Sequence, residues 1–441
     1  MLSRRKFLVA AGVGLAAGAA GVVVDRRSGV ERDGTRTLSL WTLEAPPIPR
    51  VPRLSEDRDV DVAIVGGGYT GLACGYYLKK LRPEWSVAVL ESHRLGSGAS
   101  SRNSGMALLR YPAIEENEMT RRAFERWRQF LEGEQVECDY QKDRVLYLHS
   151  SEAGAERARS KMKPSERWLS SDELREQIGT TFYAGAVSPA ESFAIHPGKL
   201  VAGHVTAARR VGVDLYEYSP VMEVRPGKTV HLVAPTGTVR ARHAVIATNA
   251  YTPRLGLFRA TMFPVHHYTF ATRELSPEEL RRYHLDHWRM RYEERFLPVS
   301  TSVTPSGRFI VRVLLGYAAF NSCEWGNIHD ARRLARTTIA LRYPWVAETE
   351  LEYGWHGVTG HTLDSRGVAG PLGDGNLHVS AAYNGIGVVP AHYNGYLTAS
   401  RIAGKPEADF ALLQGTSGHP PLPEPLRSLG FKPLMRMLRA S

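Results

Sequence analysis

Three glycines in the spacing G-x-G-x-x-G, at Gly66, Gly68 and Gly71, follow directly on the β-branched run Asp59–Val65 and open a stretch of helical residues that runs to Leu81. A second apolar run, Ser86–Leu90, ends in Glu91. Strand, glycine turn, helix, strand and acid in this order are the chemistry of dinucleotide binding. Gly66 permits the tight turn and Gly68 lets the backbone approach a pyrophosphate. Gly71 lets helix and strand pack closely, and the N–H groups at the helix start face the phosphates. Glu91 accepts hydrogen bonds from ribose hydroxyls and repels a 2′-phosphate, which disfavours NADP. The residues that follow, Arg94 to Gly105, are mostly small, hydroxylic, amide or guanidinium side chains. Such a loop can wrap an extended dinucleotide and donate to phosphate and ribityl oxygens, as FAD requires and a plain NAD fold does not.

The rest of the chain must position these groups. His196 to Leu200 opens a helix ending near Gly212, with Val201, Val205 and Ala208 on one face. Three period-two segments follow, Pro220–Val224, Thr229–Val233 and Val239–Ala247, with turns at Pro226-Gly227 and Thr236-Gly237; this pattern predicts a β-meander. Near the end, Asn376–Ser380 reads as a strand, and Tyr383-Asn384-Gly385-Ile386-Gly387 as a turn into a helix from about Pro390 to Ile402. Pro390 suits its first turn and Gly404 its end. Between these segments, Thr269–Thr272, Phe296–Val303 and Arg308–Leu315 read as strands, and Met119–Glu132 and Arg332–Arg342 as helices.

At 441 residues the chain exceeds one ordinary core, so two domains are expected. The net charge is +11; Arg4, Arg5, Lys6, Arg26 and Arg27 against Asp25 place +4 of it in residues 1–28 and leave +7 on the body. That balance suits anionic ligands or surfaces. No basic patch interleaves with aromatics and no nucleic-acid motif is present, so nucleic-acid binding is not expected. Cys74, Cys138 and Cys323 show no CxxC or zinc spacing, so neither a disulfide network nor a metal site is expected. The opening Met1-Leu2-Ser3-Arg4-Arg5-Lys6-Phe7-Leu8 and the apolar run to Val24 form a charged n-region and an h-region. The Ser-Arg-Arg-x-Phe-Leu order resembles the twin-arginine leader, which implies delivery to the twin-arginine export machinery. The body is then expected in the periplasm or on the outer face of the inner membrane, with Phe7–Val24 either removed or kept as a short membrane anchor. Residues 29–56, with Pro46, Pro47, Pro49 and Pro52, read as an extended, irregular lead-in.

With these motifs in place, residues 59–430 resemble the D-amino-acid oxidase-like FAD-dependent oxidoreductases, in particular the branch of glycine, sarcosine and γ-glutamylputrescine oxidases. The resemblance implies an α/β fold with a two-dinucleotide-binding, glutathione-reductase-like FAD domain built from residues 57–105, 195–257 and 351–405. A discontinuous α+β substrate domain would take residues 106–194 and 258–350, and a tail residues 406–441. It places on FAD the fingerprint residues Gly66, Gly68, Tyr69, Thr70 and Gly71, with Glu91 and Ser92. It adds the loop Gly98, Ala99, Ser100, Ser101, Arg102, Asn103, Ser104 and Gly105, then Val224, Thr248, Asn249, Gly385, Ile386, Gly387 and Val388. The start of the last helix would face the flavin pyrimidine edge, where its N–H groups stabilise charge on the reduced ring.

The resemblance also implies the reaction: oxidation of a C–N bond by hydride transfer to flavin N5, giving an imine that hydrolyses, with oxygen or a quinone as final acceptor. The substrate is a small amine or amino acid, bound with its nitrogen unprotonated and its C–H close to N5. No strong base is required, and the sequence shows no acid–base dyad. Tyr111, His267, Tyr268, Arg312 and His356 lie on segments that flank the flavin in this family, and Arg312, among the apolar residues of Phe309–Leu315, is the candidate for a substrate carboxylate. Two departures matter. Asn384–Val389 reads Asn-Gly-Ile-Gly-Val-Val where the sarcosine oxidase branch carries a histidine and a lysine, and no cysteine lies near Trp355–Thr359, which carries the covalent flavin link there. Non-covalent FAD is therefore expected, with His356 the residue to test as a link, and sarcosine itself is disfavoured. Oxidation of a C–O bond in a hydroxy acid or polyol, or a flavin protein that docks to a partner without turnover of its own, are the alternatives.

Overall fold

A computed structural model describes residues 39–109, 117–142, 145–189, 192–285, 290–293, 298–317, 323, 328–409 and 429. The fingerprint strand Arg58–Val65 pairs in parallel with Val87–Leu90 on one side and Gly237–Ile246 on the other. Asp214–Tyr216 extends this sheet beyond Val87–Leu90, and Leu377–Ala381 lies along the end of Gly237–Ile246. These five strands all run the same way, and the antiparallel strands Glu223–Arg225, Val230–Ala234 and Val368–Leu372 complete the sheet. The parallel strands read as apolar runs because both faces are covered. Val62 and Ile64 face the helices Tyr69–Leu81, Pro197–Arg210 and Val388–Ile402, while Ala63 and Val65 face the meander, Leu54 and Met262.

The carboxyl ends of the parallel strands share one edge. The turns that leave it, Gly66–Gly68, Glu91–His93, Ala247–Asn249 and Ala382–Gly387, are therefore neighbours although the first and last are more than 300 residues apart in the chain. Such an edge, where strand ends and helix starts alternate, is where open α/β sheets bind ligands.

The second sheet has the order Leu351–His361, Phe263–Glu274, Arg308–Tyr317, Ser300–Val303, Met290–Glu293, Val145–His149, Gly185–Ser188, Arg167–Ser170. One face of its first strands packs Tyr268, Phe270, Phe309 and Val311 under the helix Ile328–Arg342. The other packs Ala271, Ile310, Tyr353 and Trp355 against Leu40 and Trp41. A small sheet of Met106–Leu108, Ser192–Ala194 and Gln141–Lys142 stands between the two layers in sequence.

Several expectations are revised. The lead-in is not wholly irregular: Leu40–Glu44 is a helix, and Ser39, Leu40 and Trp41 are buried. Its partners lie far along the chain, so no local pattern announces them. Residues 351–361, assigned from sequence to the nucleotide-binding part, form a strand of the second sheet. The strand expected at Thr269–Thr272 starts at Phe263; buried on both faces it shows no alternation, and Pro264 pairs only with Gly360, outside the ladder to Arg308–Tyr317. The first meander strand is Glu223–Arg225 rather than Pro220–Val224, because residues 217–219 turn back to the Glu91 edge, where the Tyr218 and Ser219 amides donate to His93 and Glu91 carbonyls. Of Phe296–Val303, Ser300–Val303 is strand, and residues 294–297 lie outside the described residues.

Candidate active site

The fingerprint turn has the shape its glycines require. Gly66 has φ +107, and a Cβ there would lie 2.7 Å from Ala247 O. A Cβ at Gly71 would lie 1.9 Å from Gly66 O, so helix and turn touch backbone to backbone. Gly68 caps the helix Tyr69–Leu81, and a Cβ there would meet one atom only, Ser100 Oγ at 2.9 Å. That open space beside a helix start is a cradle a side chain would fill. Ser100 Oγ also accepts from the Tyr69 amide at 3.1 Å, tying the loop to the helix. Glu91 Oε2 accepts from the Gly67 amide at 2.9 Å, and Oε1 from the His93 amide and the Ser92 hydroxyl. This fixes the carboxylate at the strand end, where ribose hydroxyls are read.

The loop 98–105 closes over this turn. Ala99–Ser101 is a single 3-10 turn, Gly105 has φ +79, and the Gly105 amide donates to Asn103 Oδ1 at 2.9 Å. Arg102 donates only to carbonyls, Ser97 O at 2.8 Å and His356 O at 3.0 Å, and meets no carboxylate among the described residues. Burial lowers its pKa from the ordinary guanidinium value. A kept cation, open glycine cradle and clustered N–H donors fit an anionic dinucleotide.

Thr248 and Asn249 leave the same edge. Asn249 Oδ1 accepts from the Ala382 amide at 3.0 Å, and Thr248 Oγ1 meets Thr252 Oγ1. Gly385 has φ +85, Gly387 caps the helix Val388–Ile402, and the Ile386 amide donates to Tyr383 O. Tyr383 joins the two helix starts: its hydroxyl lies 2.6 Å from Thr70 Oγ1 and 2.9 Å from Ser380 Oγ. Burial pushes the Tyr383 phenol up to about 12, so it acts as a neutral bridge. Val224 stands apart from this group, in the outer meander strand, with two strands between it and Arg58–Val65.

On the second sheet, the residues that face this edge are Arg312, His267, Gly357, Thr359 and His361. A Cβ at Gly357 would lie 3.3 Å from Arg102 Cβ, and one at Gly385 would lie 3.8 Å from the His361 ring. Arg312, almost wholly buried, donates from Nε to Ser300 Oγ at 2.8 Å and from Nη1 to His267 Nδ1 at 2.9 Å. His267 Nε2 lies 2.7 Å from Thr359 Oγ1, which lies 2.9 Å from His361 Nε2. Burial, then the Arg312 charge, holds His267 well below the ordinary imidazole value, and burial alone holds His361 at about 4. Both rings are therefore neutral at physiological pH.

Tyr268 and His356 do not join this group. They pair across the ladder with each other, not with His267 and Gly357, and so project from the opposite face. There His356 Nε2 meets His266 Nδ1 at 2.5 Å, the Tyr268 and His356 rings are 5.0 Å apart, and Tyr268 belongs to the core under Ile328–Arg342. His356 is held at about 2 by burial, then by His266 and Arg102. Tyr111 lies outside the described residues. Sequence reasoning missed Thr359 and His361, although a period-two reading outward from Gly357 puts all three on one face. Ser300 carries no local signal, and Tyr383, at the head of the turn read before the last helix, carries none for its contact with Thr70.

The chain matches the family described as FAD dependent oxidoreductase over residues 61–401. It is 26% identical to the γ-glutamylputrescine oxidoreductase of Escherichia coli over 411 residues, covering 84% of this chain and 90% of the relative. It is 25% identical to the glycine oxidase of Bacillus licheniformis over 371 residues, 78% of this chain and 94% of the relative. The crystal structure of glycine oxidase from Geobacillus kaustophilus superposes with a TM-score of 0.68 at 22% identity, covering 82% of this chain and 99% of that one.

Proposed function

The chain belongs to the FAD-dependent oxidoreductase family, and on that premise we propose that its substrate carries a carboxylate beside the amine whose C–N bond is oxidised. Non-covalent FAD as cofactor and an amine or amino acid as the substrate class are those of the family and its relatives. The carboxylate is the finer step, and Arg312 carries it. This guanidinium is 8% exposed and donates to neutral partners, with no carboxylate against it among the described residues. A cation withheld from water without an anion is costly, and a bound carboxylate offsets that cost with paired, charge-assisted hydrogen bonds.

Bound FAD supplies the acceptor for the hydride that leaves the carbon next to nitrogen. The chain's own residues bind and orient. Arg312 anchors the carboxylate; His267, fixed by Arg312, and His361 line the same face as neutral rings. With no acid in this group to pair with an ammonium, the amine is held in its neutral form, the form that can yield an imine. The start of the helix Val388–Ile402, capped by Gly387, would offer its free N–H groups and positive end to negative charge on a reduced cofactor.

The relatives named for glycine and for γ-glutamylputrescine support that branch, and the Asn384–Val389 sequence speaks against sarcosine. The same reading takes residues 57–105, 195–257 and 362–405 as the FAD-binding part and the second sheet as the substrate part. It takes oxygen or a quinone as acceptor and residues 1–28 as a twin-arginine leader, which would place the body in the periplasm or hold it on the outer face of the inner membrane.

An anaerobic titration of the purified protein, followed near 450 nm, tests this. The expected result is bleaching by amino acids or N-methyl amino acids, with release of ammonia or an amine, and little response to the same amines without their carboxylate. Equal kcat/KM for the decarboxylated amines would remove the carboxylate from the reading. Bleaching by 2-hydroxy acids alone would overturn C–N oxidation.

A further inference from the structure

Three consecutive carbonyls of the cofactor loop are held by side-chain donors from outside it. Ser39 Oγ donates to Ser101 O at 2.6 Å, Trp355 Nε1 to Arg102 O at 3.2 Å, and Trp41 Nε1 to Asn103 O at 2.9 Å. Trp355 belongs to the second sheet; Ser39 and Trp41 come from the segment before the fingerprint strand. Trp41 is fully buried in one apolar cluster with Trp355, Tyr353 and Ile310, and meets the His196 ring edge-on at 4.9 Å. A Cβ at Gly198 would come within 2.0 Å of Trp41 O, so the segment is wedged against the start of Pro197–Arg210. At its far end, Glu44 accepts from Ser306 Oγ at 2.7 Å. Residues 39–44 thus touch the cofactor loop, the nucleotide-binding layer and the second sheet at once.

The consequence follows from peptide geometry. In a trans peptide the C=O and the following N–H point in opposite directions. With the Arg102 and Asn103 carbonyls turned to the two indoles, the Asn103 and Ser104 amides are turned away from them. Neither amide has a hydrogen-bond partner among the described residues. Two adjacent unpaired amides in a loop that also carries the unpaired charge of Arg102 make a surface for an anion.

We propose that residues Ser39–Glu44 are a clasp that sets the cofactor loop in its anion-binding conformation, with Trp41 and Ser39 as positioning residues for FAD. The clasp lies downstream of residues 1–28, so processing of a leader there would leave it intact. The inference rests on FAD as the cofactor and not on the identity of the substrate.

The test is FAD affinity of the full chain, stripped of flavin and titrated by quenching of flavin fluorescence. Trp41→Phe keeps a ring in the apolar cluster and removes the N–H. It should raise the FAD Kd about tenfold, the scale of one hydrogen bond whose buried acceptor is left unmet, and change the visible circular dichroism of bound flavin. Ser39→Ala, which removes no bulk, should raise the Kd about threefold. Trp345→Phe is the control: it deletes an indole bond of 2.7 Å to Gly179 O, away from the cofactor loop, and should lower thermal stability without moving the Kd. Unchanged FAD affinity in Ser39→Ala and Trp41→Phe would overturn the clasp. So would equal weakening by Trp345→Phe. If Trp41→Phe does not fold, Ser39→Ala against Trp345→Phe decides. Failure of the unsubstituted chain to bind FAD would fall on the cofactor assignment instead.

Discussion

Arg312 Nη1 lies 2.9 Å from His267 Nδ1, and because a guanidinium only donates, this contact leaves the imidazole proton on Nε2, facing Thr359 Oγ1. The Thr359 hydroxyl is left to donate to His361 Nε2. A cation thus stands at the head of a string of neutral, oriented dipoles, all on the sheet face turned to the cofactor loop. In a buried setting each donor polarises the next, so the string behaves as a unit.

Arg312→Gln should raise KM for a carboxylate-bearing substrate by roughly 30-fold or more, the scale of about 2–3 kcal/mol for a charge-assisted bond, with FAD content unchanged. Arg312→Lys restores the charge but cannot hold Ser300 and His267 together, so recovery should be partial. Steady-state kinetics on a substrate and its decarboxylated counterpart check this. An equal loss on both would assign Arg312 to the fold rather than to the carboxylate.

The same string predicts the pH profile. Arg312 repels an ammonium, and no acid among the string's residues pairs with one. kcat/KM should therefore rise about tenfold per pH unit up to the substrate amine's own pKa and then level. Burial keeps His361 at about 4 and His267 well below its ordinary value, so neither titrates on that limb. His361→Asn should change the height of the profile and leave its slope. A profile flat from pH 6 to 9 would mean that the ammonium form binds.

The nucleotide-binding half was readable because its chemistry is local. Gly66, Gly68, Gly71 and Glu91 lie in one βαβ unit, and the strand and helix signals around them agree. The substrate face was readable only in part. Segment position points to Arg312 and His267, but equally to Tyr268 and His356, which project from the opposite face. A strand buried on both faces shows no polar alternation to say which residue points where. Trp41 was not readable at all, since what holds it lies some 60 residues away at Asn103 and about 300 away at Trp355.

Gly395 tests how closely the two cofactor-facing helices must cross. A Cβ there would meet Thr70 O at 2.7 Å, Ala73 Cβ at 2.8 Å and Cys74 N at 2.9 Å, mostly backbone that cannot swing aside. Gly395→Ala should cost about 1–3 kcal/mol through overpacking, although alanine is the better helix former. It should also weaken FAD binding, because Thr70 and Tyr383 join the two helix starts. Chemical denaturation and FAD titration read the two effects. A stabilised Gly395→Ala protein would show that the crossing has slack.

A second histidine pair sets the acid stability of the fold. His204 Nδ1 donates to Leu200 O at 2.8 Å, which leaves its Nε2 to accept from His392 Nδ1 at 3.0 Å; His392 Nε2 then accepts from the Tyr77 hydroxyl at 3.0 Å. Every ring nitrogen of this His204–His392 string is used, with both rings neutral. Burial holds His204 at about 4, and burial with the neighbouring His204 holds His392 well below its ordinary value. The unfolded chain takes up protons at these rings from about pH 6.5 downward while the folded chain does not. Their linkage contribution is thus zero above that pH and becomes destabilising as the pH falls toward 4, by on the order of 3 kcal/mol for His204 alone. Denaturant unfolding at pH 7.5 and 4.5 should show that fall. In a His204→Leu, His392→Leu double variant the acid slope attributable to the pair must flatten, whatever the height of the plateau; a slope equal to that of the unsubstituted chain would show that these rings do not govern it.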